Sequence, residues 1–345
     1  MSWETLNDYW QDLTALFAVL DVALIVVTIA WVLTIKKEPT SALAWCLLVL
    51  LLPVLGPLFF LIFGYQTVHR PLRRKQRHKA AFRHTHLPER VEVLSDVQKP
   101  PPPSTGWEDM ARLAQRFDAF PMTPDNQVDF YRNGQPAFDA KLQAILSARH
   151  HIHLEYFIFQ PDATGQMFIE ALAEKAREGV EVRLLYDGIG SRRLHRRTLR
   201  PLLQAGGKCA AFLAPSLIRR RFQVNLRNHR KLLVVDGRVA FTGGLNIGDE
   251  YLSKHPRFGY WRDTHLRLEG PAVTSLQRVF IEDWDFAAGE HLRGDGYFPP
   301  PVCTGDCRVQ VIYSGPDQSL KSIREIYFAA ILRARKRLWI ASPYF

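Results

Sequence analysis

The chain has 345 residues, 47% of them hydrophobic, and a formal charge of +11 from 45 Lys+Arg against 34 Asp+Glu. That is enough apolar material for a large core and enough length for one to three domains, and the basic balance points to an anionic partner: nucleic acid, an anionic membrane or a phosphate-bearing substrate. Cys46, Cys209, Cys303 and Cys307 are too scattered for a disulfide framework. Cys303 and Cys307 lack the second His or Cys pair of a tetrahedral zinc site, so no metal is expected.

Residues 13–35 and 41–65 are two apolar runs, each about 23–25 residues, or roughly 35 Å as a helix, enough to cross a bilayer core. The short link Lys36-Lys37-Glu38-Pro39-Thr40 predicts a transmembrane hairpin with both ends on one side. Arg70, Arg73, Arg74, Lys75, Arg77, Lys79 and Arg83 follow with no acid among them. By the positive-inside rule that side is the cytoplasm, so a cell (inner) membrane protein with a cytoplasmic soluble part is expected. The same stretch suits contact with anionic lipid head groups. Asp21 inside the first run needs a protein or water partner, and Pro53, Gly56 and Pro57 interrupt the second.

Pro100 to Pro103 and Ser104-Thr105-Gly106 mark a stiff boundary. Beyond it strands and helices alternate: helix at 138–148, strand at 151–159, helix at 167–178 ended by Gly179, strand at 180–186, a turn at Asp187-Gly188-Ile189-Gly190, and short strands at 232–235 and 239–241 around Asp236-Gly237. This order implies an α/β sheet with helices on its faces. Ala144 to Arg149 also reads like Ala330 to Arg335, and the copies lead into Ile152-His153-Leu154 and Leu338-Trp339-Ile340. The placement suggests an internal duplication.

The chemistry concentrates in Asn228-His229-Arg230-Lys231 through Asp236, then Gly243-Gly244-Leu245-Asn246. The spacing is H-x-K-x4-D followed by G-G-x-N. On a strand His229 and Lys231 share a face, which sets an imidazole beside an ammonium. The imidazole can attack phosphorus or move a proton, while the ammonium and an amide hold non-bridging oxygens. Gly243 and Gly244 would let backbone approach a bound phosphate.

This stretch resembles the HKD signature of the phospholipase D superfamily. Ser41 to Trp45, Leu52 to Pro57, His153 to Tyr156, Leu185 to Gly190, Gly243 to Tyr251 and Trp261 to Thr264 resemble bacterial cardiolipin synthases with two transmembrane segments. The resemblance implies a phospholipase D-like mixed sheet flanked by helices, behind a two-helix hairpin. It divides the chain into a hairpin (1–66), a basic and Pro-rich linker (67–106), a first phospholipase D-like domain (107–300) and the start of a second repeat (301–345). It also implies joining two phosphatidylglycerol molecules into cardiolipin, with release of glycerol through a phosphohistidine, without a cofactor.

Carried onto this sequence, His229 is nucleophile or acid, and Lys231, Asn246, Gly243 and Gly244 bind phosphate. Asp236 belongs to the catalytic signature and is expected to be structural, its carboxylate orienting the motif rather than doing chemistry; Arg227 is a supporting candidate, and Glu155 either helps orient a site histidine or is a buried carboxylate with its own partner. The family joins two such signatures in one site, and this sequence holds one. The repeat offset would place the partner histidine about seventy residues past Phe345, so a truncated product is expected. A homo-oligomer is the other source of a second histidine, though the beginning of a second repeat speaks against it.

Weaker candidates keep two readings. His150, His151 and His153 suit helix-end polar residues better than a metal site. Arg219, Arg220 and Arg221 either steer an anionic head group or form a solvated loop. Asp187 is a turn former or a neighbour of the site, and Arg262 and Asp263 read as structural. Phosphodiester hydrolysis, and lipid binding without catalysis, are the competing functions. The membrane hairpin argues against a nuclease, so no nucleic-acid partner is expected.

Overall fold

The computed structural model describes residues 3–36, 39–64, 107–117, 119–213, 227–303, 305–315 and 322–342. The basic stretch at 70–83, the linker at 100–106 and Arg219 to Arg221 lie outside them. The chain forms two compact units, one holding the N-terminal helices and one holding the sheet.

In the first unit, α1 (Trp3–Ile35) contains a 26-residue apolar stretch, Trp10–Ile35, long enough to cross a membrane. The second run departs from the expected single span. It forms α2 (Pro39–Leu51), then α3 (Leu55–Phe59) and a π-helical turn (Phe60–Gly64). Pro53 has no N–H and its ring crowds the preceding turn, which breaks the helix; Val54 takes φ 60°. The freed Val54 N–H donates to Asp21 Oδ1 at 3.1 Å. The costly acid of α1 and the broken backbone thus satisfy each other. Phe60 packs edge-on against Trp31 and Trp45, and Gly56 lies so close to α2 that a Cβ there would meet Leu48 O at 2.5 Å.

The second unit begins with α4 (Trp107–Arg116). Its sheet has eight strands: β1 (Thr123–Asn133), β2 (His151–Tyr156), β3 (Glu181–Asp187), β4 (Lys208–Phe212), β5 (Lys231–Val235), β6 (Val239–Gly243), β7 (Arg262–Glu269) and β8 (Cys307–Val309). Their order is β4-β3-β2-β5-β6-β7-β1-β8. β2, β3 and β4 are parallel and the other pairs antiparallel. The parallel pairs need helical crossovers, supplied by α6 (Ala163–Arg177) and α7 (Arg196–Gln204). Asp162 caps α6, its side chain accepting from Gly165 N at 3.0 Å.

Both faces of the central strands are covered, which is why β5 reads Lys-Leu-Leu-Val-Val without polar alternation and is buried throughout. On one face α5 (Gly134–Ser147), α6 and α7 pack on Ile152, Leu154, Tyr156, Leu233 and Phe241. On the other, α8 (Ala272–Ala288) packs Phe280 and Trp284 against Leu232, Val234 and Leu268. Each such large side chain contributes about 2–3 kcal/mol by leaving water.

Two expectations are corrected here. His151 and His153 are not helix-end polar residues but wholly buried interior positions of β2. His153 stacks on Phe280 at 4.3 Å and accepts from Gln277 Nε2 at 2.9 Å. Burial first, then the neighbouring His151, holds it well below the usual imidazole range. A lone histidine in an apolar strand gives no periodic signal of which face covers it. The second copy of the repeat also differs from the first. Ala330 to Arg333 end α9 (Ser322–Arg333), as Ala144 to Ser147 end α5, but Leu338 to Ile340 form no strand, and Trp339 is 85% exposed. No described strand pairs with this segment, and a strand needs a neighbour for its N–H and C=O groups.

Candidate active site

β5 enters the sheet at Lys231, so His229 stands in the preceding loop rather than on the strand. The expected neighbourhood of the two side chains nevertheless forms. Lys231 Nζ lies 2.9 Å from His229 Nδ1 and 3.5 Å from Nε2, and donates to His229 O at 2.8 Å. The exposed imidazole rests on Phe157, ring centroids 4.4 Å apart. Lys231 is buried on the α5/α6 face, across the strand from Tyr156. Burial pulls its ammonium down to about 8, against the opposing charge of Asp263. Burial and then the Lys231 charge pull the His229 imidazole below its ordinary value. The ring is therefore neutral at pH 7, and Lys231 remains largely a cation.

Buried polar groups fix the loop. Asn228 N–H donates to Asp187 Oδ2 at 3.0 Å, its side-chain amide donates to Glu155, and its Oδ1 accepts from Arg230 N at 3.1 Å. Asp187 also closes its own turn, accepting from Ile189 N at 2.9 Å and Gly190 N at 2.8 Å. It is thus both the turn former and the anchor of the His229 loop. Arg227 Nη1 stands 4.0 Å from Asp187 Oδ1.

Of the two readings of Glu155, the buried carboxylate with its own partners is the one that fits: it holds the two residues flanking His229. It receives Asn228 and faces Arg230 at 3.8 Å. Burial first and the charge of Asp283 next push its carboxyl well above the usual range. Arg230 points to the α8 face, where it donates to Asp283 and, at 3.3 Å, to Ser314 O. A cleft of about 370 Å³ opens here, lined by Arg227, His229, Lys231, Gly243, Tyr313 and Ile323 among others.

Three expectations change. Asp236, placed in the catalytic signature, lies at the opposite end of β5, about 20 Å from His229 at strand rise. Its carboxylate accepts from Arg149 N (2.8 Å), His150 N (2.7 Å) and His151 N (2.9 Å), which fixes the start of β2. Its backbone adopts φ 53°, a conformation Asp tolerates in turns. Gly243 and Gly244 make room for protein. A Cβ on Gly243 would meet Thr264 O at 2.5 Å, one on Gly244 would meet Asp263 Oδ1 at 2.0 Å, and the Gly244 N–H is used by Thr264 O. Asn246 is buried, accepting from Ile158 N at 3.0 Å and donating to Tyr251 OH at 2.9 Å. It orders the loop beyond β6 with one amide hydrogen to spare.

Arg230, Asp283, Tyr313 and Phe157 were not found from sequence. Only the alternation of the strand hinted at them: if His229 and Lys231 face one way, Arg230 faces the other and needs an acid from the covering helix. Among the described residues no group of three His, Cys, Asp or Glu is arranged to hold a metal ion.

Residues 142–284 match the family described as cardiolipin synthase, PLD-like domain, and residues 23–64 match the phospholipase D-nuclease N-terminal family. The cardiolipin synthase of Geobacillus kaustophilus (strain HTA426) is 39% identical over 350 residues, covering 98% of this chain and 68% of that protein. Cardiolipin synthase 1 of Bacillus cereus is 38% identical over 331 residues, covering 93% of this chain and 64% of that one. Among solved structures, the phospholipase D family member Nuc from Salmonella typhimurium aligns at TM-score 0.35 and 17% identity, over 50% of this chain and 100% of that chain. This chain, with its mixed sheet and its His–Lys pair, belongs to the phospholipase D-like cardiolipin synthase family.

Proposed function

We propose that this chain carries out the phosphatidyl-transfer half-reaction of a cardiolipin synthase at His229. The observation that carries the reading is the contact of the exposed His229 ring with the buried Lys231 ammonium at the mouth of a cleft.

With Lys231 donating to Nδ1, the neutral ring keeps its proton on Nε2, the form that can give a proton. When a phosphodiester enters, Lys231 turns to a non-bridging oxygen and Arg227 supplies a second positive charge at the cleft wall. Nδ1 is released, and the tautomer with a free Nε2 lone pair becomes accessible for attack. Phosphorus bonds to the ring as the bond to glycerol breaks, and glycerol leaves with a proton from an acid. A hydroxyl of a second phosphatidylglycerol, giving its proton to the conjugate base of that acid, then displaces the histidine and gives cardiolipin. In the family resemblance that acid is the histidine of a second signature. Asn228, Glu155, Asp187 and Arg230 hold the loop, and Asp236 holds the strand end. We place the chain in the cell membrane through its apolar N-terminal helices, with the sheet unit in the cytoplasm and anionic phospholipid as partner.

The test is mass spectrometry of lipids formed from phosphatidylglycerol by membranes carrying the chain, alone and extended by the remaining third of a relative. Cardiolipin and glycerol that vanish in H229A support the reading; cardiolipin unaffected by H229A overturns it. Hydrolysis is the second reading, favoured by the exposure of His229 to water, and phosphatidic acid would be its product.

A further inference from the structure

From Gly188 to Val235 the sequence contains twelve Lys and Arg and not one Asp or Glu. Five of these cations, Arg192, Arg193, Arg196, Arg197 and Arg200, are exposed on α7 and the turn before it. Leu194, Leu199 and Leu202 are buried and pin this segment to the sheet, so the arginines face outward turn after turn. Among the described residues none of the five is in an ion pair with a carboxylate.

The other described α-helices of the sheet unit mix their charges. α4 sets Glu108 and Asp109 against Arg112, and α9 sets Arg324 against Glu325. An ordinary solvated face intersperses both signs; like charges one helical turn apart are unfavourable. A stripe of one sign suits a surface of the opposite sign. Arg196, Arg197 and Arg200 also line a groove of about 420 Å³ with Leu203 and Gln204.

The stripe begins at the site. Asp187 holds Asn228, the residue before His229, and also closes the turn that leads to Ser191. Ser191 Oγ donates to Phe157 O at 3.0 Å and accepts from Phe159 N at 2.9 Å. The ring of Phe157 in turn supports His229.

We infer that the arginine face of α7 is a docking surface for an anionic phospholipid bilayer, which sets the mouth of the His229 cleft at the level of the head groups. The inference deepens the proposed lipid reaction and rests on it. Phosphate head groups match guanidinium donors, and removing each basic residue lowers such docking by about fivefold.

The test uses the full chain in vesicles, with a photo-crosslinking p-benzoylphenylalanine in place of Gln204. Vesicles of phosphatidylcholine alone are compared with equimolar phosphatidylcholine and phosphatidylglycerol, and cross-linked lipid is counted by mass spectrometry. The expected result is a yield at least about tenfold higher on the anionic vesicles, lost at high salt and lost in R192Q/R193Q/R196Q/R197Q with its unfolding midpoint unchanged. Equal yields on both vesicles, or indifference to the substitutions, overturn the inference. Displacement by short duplex DNA in preference to anionic vesicles overturns it in favour of a nucleic-acid surface. H229A is expected to keep the cross-link, so failure of the lipid chemistry and failure of the docking surface remain separable.

Discussion

The two ends of β5 make different use of the same signature. At one end His229 and Lys231 meet the cleft, with an exposed ring and an ammonium placed against it. At the other, Asp236 accepts three backbone N–H groups and fixes the start of β2. On the proposed mechanism, residues that travel together in a motif are divided between reaction and architecture. The division follows from the strand, whose length sets one end of the motif far from the other.

The sharpest way to break this contrast is to exchange the effects of the two ends. H229A should reduce phosphatidyl transfer by at least about a thousandfold, because the proposed nucleophile would have no substitute. Its unfolding midpoint should stay near that of the parent, since the ring is exposed. D236A should do the reverse, losing about 3 kcal/mol of stability from three orphaned N–H groups and keeping its rate per folded molecule. Loss of activity in D236A without loss of stability would place Asp236 in the chemistry after all. G243A should cost about 2 kcal/mol in denaturant titration, because its Cβ would overlap Thr264 O and its φ is 148°.

Lys141 refines the contrast at the His229 end. It is wholly buried near Phe138 and Tyr156, its Nζ has no hydrogen-bond partner among the described residues, and burial pulls it down to about 7. Between about 7 and the ordinary value of 10.5 the unfolded chain holds a proton that the folded chain lacks. Stability should therefore rise with pH across that window, by at most about 1.4 kcal/mol per pH unit. Thermal unfolding of K141M should show the slope removed; an unchanged slope would assign it elsewhere. The smallest effect is on rate near neutrality. Activity should fall above about pH 8 as Lys231 loses its proton, and on the acid side below the ordinary imidazole range as His229 gains one. A pH–rate profile displaced to the acid side in K231R would contradict this, since arginine should extend the alkaline limb.

The His–Lys pair was legible because a two-residue spacing near a strand fixes the relation of two side chains. The helices and strands from 134 to 187 were legible from periodicity within a few residues. β5 and β6 were legible as short apolar runs around Asp236-Gly237, but β7, β1 and β8, which complete that side of the sheet, were not. β7 and β8 carry charged or few residues and exist through pairing with β1, residues more than a hundred positions away in sequence. The Glu155–Arg230–Asp283 group joins three distant segments in the same way. Pro53 signalled a break in the second apolar run, but nothing local showed that Asp21 would receive the freed N–H.

In the membrane placement proposed above, that bond between Asp21 and Val54 imposes an order on the making of the protein. Residue 21 leaves the ribosome thirty-three positions ahead of its partner, and a lone carboxyl in a helix entering a bilayer carries an insertion penalty of about 3 kcal/mol. The first helix gains its full reason to stay only when the second run arrives with its interrupted backbone. The two segments should therefore be released into the lipid together, and a chain halted before residue 54 should be retained or slip back far more often than one halted after it.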